Sequence, residues 1–346
     1  MLAAVMRGAD DLAVEEVPTP EPGPGEVLVR VGANTICGTD VRILRGEKTS
    51  GVELPVILGH ETAGHLVAAG PGVEGYEEGA PVAMAPVIPC LRCFACRHDL
   101  ENICEDGRIM GYAPDGGMAQ YMLVPADAVA AGCLFVARED LPSEQLALAE
   151  PLAAVVAGQR WSRVEPDDVV LVLGAGPIGL LHLQLARHSG ARAVVVSEPS
   201  AGRRAAAERL GAGVTVDPGA DDLAAAVEAA TDGVGVDAAI VCIGVPALVG
   251  EALGLARPGG RVNAFAGFPK DGTAAEIDPN VVHYKQVVLT GSANSRRRDY
   301  ATALRLIEDG RIDTAAMVTH RFGLPDAREA LGKVGADDAI KIAVMP

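Results

Sequence analysis

Val169 to Leu173 is an unbroken aliphatic run that ends on Gly174-Ala175-Gly176-Pro177-Ile178-Gly179. A buried strand that runs into G-x-G-x-x-G and then into a helical pattern leaves a chain few choices of fold. Gly174 permits the tight turn, Gly176 lets backbone N–H groups approach a pyrophosphate, and Gly179 allows the helix to pack close to the strand. Pro177 and Ile178 open that helix, whose N-terminus offers partial positive charge to phosphates. The predicted unit binds a dinucleotide. Glu198 ends the next strand, where a carboxylate can accept hydrogen bonds from the adenosine ribose hydroxyls and repel a 2′-phosphate. That favours NAD over NADP, although Arg203 and Arg204 lie close enough to soften the exclusion.

The same alternation continues after the motif. Helical patterns cover 178–189, ended by Gly190, and 201–210, ended by Gly211. Strands are expected at 193–197, near Val214, and at 237–241, 261–265 and 286–290. Strands alternating with helices imply α/β architecture, a doubly wound parallel sheet covered on both faces. Residues 1–152 read differently, rich in Gly and Pro with short β-like runs such as 26–31, which suggests an irregular β-rich domain. Residues 296–346 return to mixed texture, with Asp299 expected to N-cap a helix that carries Ala303, Leu304 and Ile307 on one face and stops at Gly310. The nucleotide unit, 153–295, therefore reads as inserted into a discontinuous outer domain, with hinges near 152–158 and 292–298.

Composition excludes several partners. A formal charge of −17 and 3% aromatic residues do not suit a nucleic-acid binder, which needs positive surface and stacking rings. Arg296-Arg297-Arg298 is the one dense basic spot, expected as a solvated cluster ahead of a helix. No stretch reaches the roughly 20 apolar residues that span a membrane, and no basic-then-apolar leader opens the chain. A cytoplasmic protein is expected.

Cys90, Cys93, Cys96 and Cys104 fall within one short loop, in a lobe at about 88–106. Four thiolates at turn-sized spacing can surround one zinc ion tetrahedrally at about 2.3 Å. Two disulfides are the alternative, which a reducing compartment disfavours. A second constellation is formed by Cys37 and His60, with Glu61 beside them. Thiolate plus imidazole gives two zinc ligands, and a later Glu can close the site while one position stays open for a substrate oxygen. Each residue singly reads as core; together with the cysteine loop they point to a metal centre. Cys133 and Cys242 are expected in the core, and His65, His98, His182 and His188 carry no functional expectation.

With these features in view, the chain resembles the zinc-dependent medium-chain alcohol dehydrogenase/reductase family over nearly its whole length. The carriers are Cys37-Gly38-Thr39-Asp40, Gly59-His60-Glu61-Thr62-Ala63-Gly64, the cysteine lobe, Glu150-Pro151-Leu152 and Gly174 to Gly179. The resemblance implies a GroES-like outer domain, a reaction in the cleft between domains, and a homodimer or homotetramer. It implies that Cys37, His60 and Glu150 surround the catalytic zinc, that Glu61 is an exchanging neighbour, and that Thr39 relays the substrate proton. Glu150 places the chain with sorbitol, threonine and butanediol dehydrogenases, since simple alcohol dehydrogenases carry cysteine there. A carboxylate leaves a harder zinc, suited to vicinal hydroxyls or an amino alcohol.

One departure stands out. Relatives in that branch carry histidine where this chain has Arg42, and arginine is a poor proton shuttle. The relay would then run through ribose or water. Arg42 is expected either to fork onto a substrate carboxylate or phosphate, or to lie on the surface. The expected reaction is NAD-dependent oxidation of a polyol, cyclitol or amino alcohol to the ketone. The rivals are a sugar-phosphate dehydrogenase, with Arg42 or the Arg296 to Arg298 cluster holding phosphate, and an inactive nucleotide-binding protein.

Overall fold

The computed structural model describes residues 1–138, 140–268 and 273–346. Two compact units emerge: Met1–Ala153 together with Asn294–Pro346, and Ala154–Ala293. The boundary between Ala153 and Ala154 falls inside the helix Ala149–Ser162.

Among the described residues, the second unit holds a six-stranded parallel sheet. Its order is Val214–Val216, Ala193–Ser197, Val169–Leu173, Val236–Val241, Ala256–Ala264, Val288–Gly291. Numbered along the chain this is 3-2-1-4-5-6, the doubly wound order whose switch point lies between the first and fourth strands. Each residue of Val169–Leu173 is buried, as expected of a strand covered on both faces. Leu171, Val195, Ala239 and Val262 form the centre of its core. The strand Ala256–Ala264 starts earlier than the sequence suggests, because Ala256 already pairs with Val236 across an irregularity.

The first unit is built from antiparallel sheet. Its larger sheet runs Leu134–Val136, Pro81–Met84, Glu61–Ala69, Val27–Thr35, Lys341–Met345, Val318–Gly323, with Tyr121–Val124 also pairing to Val27–Thr35. Only the last pair is parallel among the described strands of this sheet. The register matters for chemistry. Thr35 lies opposite Glu61 on one side and opposite Ala343 on the other. The C-terminal strand is thereby threaded beside the two segments that carry Cys37 and His60.

Two expectations need correction. Asp299 does not cap its helix from outside: the helix is Arg297–Glu308, and Asp299, in its first turn, accepts the N–H of Arg296 at 3.1 Å. Nor is Arg296 to Arg298 solvated throughout, although the Arg298 side chain is 59% exposed. Arg296 is 4% exposed and pairs with Asp99 and with Asp299 at 3.0 Å, while Arg297 holds Glu101 at 2.7 Å and Arg298 also pairs with Asp99. Their charge is spent on the cysteine lobe.

Candidate metal centres and dinucleotide site

Cys37 leaves the strand Val27–Thr35 through Ile36 and caps the helix Gly38–Leu44. His60 and Glu61 enter the neighbouring strand Glu61–Ala69. The Cys37 sulfur, a His60 ring nitrogen and a Glu61 carboxylate oxygen all lie within 4.8 Å of one another. Thiolate, imidazole and carboxylate are the donor set that zinc takes in catalytic sites.

Buried charges hold each of the three in place. Asp40 is completely buried. One of its oxygens accepts the Cys37 N–H at 2.9 Å and the other lies 3.2 Å from His60 Nδ1. That contact orients the ring so that Nε2 is the nitrogen offered to a metal, the usual task of a carboxylate behind a ligating histidine. Burial opposes charge on His60, but Asp40, Tyr112 and Cys37 together outweigh it and raise the imidazole well above its ordinary value. Tyr112 presents a ring 5.4 Å from His60 in edge-on contact. Glu61, 1% exposed, accepts the Thr35 hydroxyl and the Lys341 ammonium. Thr39 Oγ1 is 3.6 Å from Cys37 Sγ.

Glu150 stands slightly apart. It is in the first turn of the helix Ala149–Ser162 and is not one of the three residues that meet within 4.8 Å. Its charge nonetheless acts on them. Burial pushes its carboxyl up to about 7, with His60 opposing and Glu61 adding to the rise. A carboxyl so placed gains from any cation that enters the cluster.

The second cluster consists of four thiols, whose sulfurs lie within 4.8 Å of one another. Cys90 and Cys96 sulfurs are 4.0 Å apart and those of Cys93 and Cys104 are 3.8 Å apart. A tetrahedron with zinc–sulfur bonds of about 2.3 Å has edges of about 3.8 Å, so the four sulfurs fit one ion. Backbone N–H groups of Cys90, Cys93 and Cys96 donate to Cys104, Cys90 and Cys93 sulfurs at 3.2–3.5 Å. The Cys96 N–H is the main cause that lowers the Cys93 thiol to about 6. All seven cysteines are free of disulfides.

The glycine motif has the geometry of a phosphate cradle. Gly174 has φ of +101°, and a Cβ on Gly179 would fall 1.8 Å from the Gly174 carbonyl oxygen. A Cβ on Gly176 would meet nothing within 4 Å. That open space faces the start of the helix Pro177–His188, where a pyrophosphate would be received. Glu198 has its own engagement here: its oxygens accept the Ala175 N–H at 2.7 Å and the Ser200 N–H at 3.0 Å. Arg203 donates its backbone N–H to Ser200 Oγ at 3.4 Å, and Arg204 is held by the Glu198 and Pro199 carbonyls at 2.7 Å and by Asp217 at 3.0 Å.

Family profiles agree with this picture. An alcohol dehydrogenase GroES-like domain matches residues 23–132 and a zinc-binding dehydrogenase domain matches 177–309. L-threonine 3-dehydrogenase of Thermococcus kodakarensis is 36% identical, over 100% of this chain and 98% of its own length. The chain belongs to the zinc-dependent medium-chain dehydrogenase family. It is thus an oxidoreductase of alcohols, with a GroES-like unit and a Rossmann unit. Sorbitol dehydrogenase of Bacillus subtilis is 30% identical over 100% of this chain and 97% of its own. A crystal structure described as a zinc-binding dehydrogenase from Sinorhizobium meliloti, bound to NADP, superposes with a TM-score of 0.93. It shares 35% identity and covers 100% of this chain and 99% of its own.

Sequence reading missed four residues of the centre: Thr35, Asp40, Tyr112 and Lys341. Asp40 was within reach, since it lies three residues after Cys37 at the start of a helix. Lys341 lies 280 residues from Glu61, and no local pattern signals that pairing.

Proposed function

We propose that this dehydrogenase oxidises a secondary alcohol bearing a neighbouring polar group, a polyol, cyclitol or amino alcohol, to the ketone, and runs the reverse reduction. The observation that carries the reading is the meeting of Cys37, His60 and Glu61 within 4.8 Å, each backed by a buried partner. Cys37, His60 and Glu150, with Glu61 as an exchanging neighbour, would hold a zinc ion that supplies Lewis acidity, and the Gly174 to Gly179 loop would hold the nicotinamide dinucleotide that takes hydride.

The chain's own groups orient the alcohol and move its proton. Thr39, whose Oγ1 lies 3.6 Å from Cys37 Sγ, would accept a hydrogen bond from the substrate hydroxyl and pass its proton outward. Asp40 keeps His60 fixed while charge develops on the substrate oxygen. Arg42 has no basic lone pair to continue the relay, so the proton leaves through water or ribose.

The cofactor assigned is NAD rather than NADP, supported by the buried negative charge of Glu198 at the end of the strand Ala193–Ser197. Assembly into a homodimer or homotetramer is supported by the edge strand Val288–Gly291, where Val288 is 54% and Leu289 38% exposed. A cytoplasmic location is supported by the free thiols, and no helix among the described residues is long and apolar enough to cross a membrane. The sugar-phosphate reading loses its Arg296 to Arg298 anchor, because those side chains are already paired.

NADH formation measured across polyols, cyclitols and amino alcohols tests the reading, before and after metal removal by a chelator. Turnover confined to secondary alcohols, lost on chelation and restored by zinc, is expected. Turnover that survives the loss of both metals would overturn it.

A further inference from the structure

Tyr300 is completely buried, yet its hydroxyl has no hydrogen-bond partner. A phenol taken out of water and left unpaired costs free energy, so such a group in a folded chain calls for a reason.

The sheet register shows what the ring lies beside. Phe135 pairs with Ala83, and Ala83 with Ala63; residues opposed across neighbouring strands share a face. Glu61 is two residues before Ala63 on the same strand and therefore on that face too. Between Phe135 and Glu61 the row carries only Ala83 and Ala63, each 1% exposed, short side chains that leave depth above the sheet. The Tyr300 ring stacks on Phe135, with centroids 5.0 Å apart and planes 27° from parallel. Tyr300 thus lies over the sheet face from which Glu61 reaches the metal cluster. Its helix, Arg297–Glu308, is anchored at the start, because Arg296 pairs with Asp99 and Arg297 with Glu101.

Two carboxylates compete for the hydroxyl. Burial first, then the negative charges of Glu150 and of Glu61, hold its proton well above the ordinary range, so the group is a donor. Glu61 is already engaged by the Thr35 hydroxyl and the Lys341 ammonium. Glu150 is different: among the described residues none donates a hydrogen bond to its carboxylate. An unspent donor and an unspent acceptor therefore sit within electrostatic reach of each other, in the same unit.

We propose that Tyr300 is a positioning residue for Glu150: its hydroxyl donates to one carboxylate oxygen and turns the other toward the ion held by Cys37 and His60. The inference rests on the dehydrogenase reading above. A ligating carboxylate is itself commonly held by a hydrogen bond, and losing such a partner typically weakens metal binding about 10–100-fold.

Tyr300→Phe removes one oxygen and keeps the ring on Phe135. The test follows zinc affinity by competition with a chromophoric chelator. In parallel, Co2+ replaces zinc so that its ligand-field bands report the single-thiolate centre. Tyr300→Phe is expected to weaken the Cys37–His60 centre about 10–100-fold and to shift those bands. The four-cysteine lobe, titrated in the same sample, should be unchanged, and the metal-free proteins should melt together. In a Glu150→Ala background, which has no acceptor, Tyr300→Phe should alter affinity by less than about two-fold.

Unchanged affinity and bands in Tyr300→Phe would overturn the assignment while leaving the dehydrogenase standing. So would an equal loss in the Glu150→Ala background, or a lower melting temperature of the metal-free variant with native zinc affinity. A native protein that takes up no ion at Cys37 and His60 would instead remove the dehydrogenase reading, and the role of Tyr300 with it.

Discussion

Lys341 Nζ lies 2.7 Å from Oε1 and 2.6 Å from Oε2 of Glu61, and the two side chains are 3% and 1% exposed. The last strand of the chain thus supplies the counter-charge for a carboxylate at the metal cluster. Breaking a buried pair by removing one partner strands the other charge, at a cost of about 3–5 kcal/mol. Lys341→Met should therefore lower the urea unfolding free energy by an amount of that order. The double variant Lys341→Met with Glu61→Gln should recover part of it. Equal stability of Lys341→Met and the native chain would show that the pair is not coupled.

The glycines of the phosphate loop make opposite predictions. Gly179→Ala places a methyl 1.8 Å from the Gly174 carbonyl oxygen, so the fold of the second unit should suffer and the melting temperature fall by several degrees. Gly176→Ala points its methyl into open space. Stability should then change by less than about 0.5 kcal/mol, while NAD affinity, read by fluorescence titration, should drop ten-fold or more as the methyl occupies the approach to the pyrophosphate. Normal affinity in Gly176→Ala would move the dinucleotide elsewhere.

Acid stability has an identifiable contributor in the second unit. His182 is fully buried on the helix Pro177–His188, edge-on to Phe265 at 4.6 Å, and burial pushes its imidazole down to about 3. The unfolded chain takes up a proton near pH 6.5 that the folded chain refuses until about pH 3. Stability from this source is complete above pH 6.5 and drains away as pH falls toward 3, by an amount on the order of a few kcal/mol. His182→Leu should flatten the pH dependence of unfolding free energy between pH 6.5 and 4. An unchanged slope would assign the acid limb to other groups.

Much of this was written locally in the chain. The strand Val169–Leu173 and its glycine turn declare themselves by apolar continuity and spacing, and the four clustered cysteines by proximity in sequence. Cys37, His60 and Glu61 were legible as chemistry but not as geometry, because two strands and their register bring them together. Glu198 illustrates the limit: its position at a strand end was readable, while its hydrogen bonds to Ala175 and Ser200 depend on how the glycine turn folds back. The arginines 296 to 298 were misread for the same reason. Partners Asp99 and Glu101 lie nearly 200 residues away, so the run looked solvated throughout when Arg296 is buried and each arginine is paired.

The cysteine lobe predicts a specific metal stoichiometry. Two clusters suitable for an ion occur among the described residues. Cys93→Ser should reduce zinc from two equivalents to one by atomic emission and lower the melting temperature, since structural zinc contributes folding energy outright. Retention of both equivalents would show that the four sulfurs do not share an ion.

The most direct measurement is an anomalous difference map from crystals of the zinc-loaded protein, recorded on either side of the zinc absorption edge. Two peaks are expected. One should lie amid the sulfurs of Cys90, Cys93, Cys96 and Cys104, and the other at about 2.0–2.3 Å from Cys37 Sγ and His60 Nε2. A peak in the cysteine lobe alone, with nothing between Cys37 and His60, would contradict zinc-dependent alcohol oxidation at this centre.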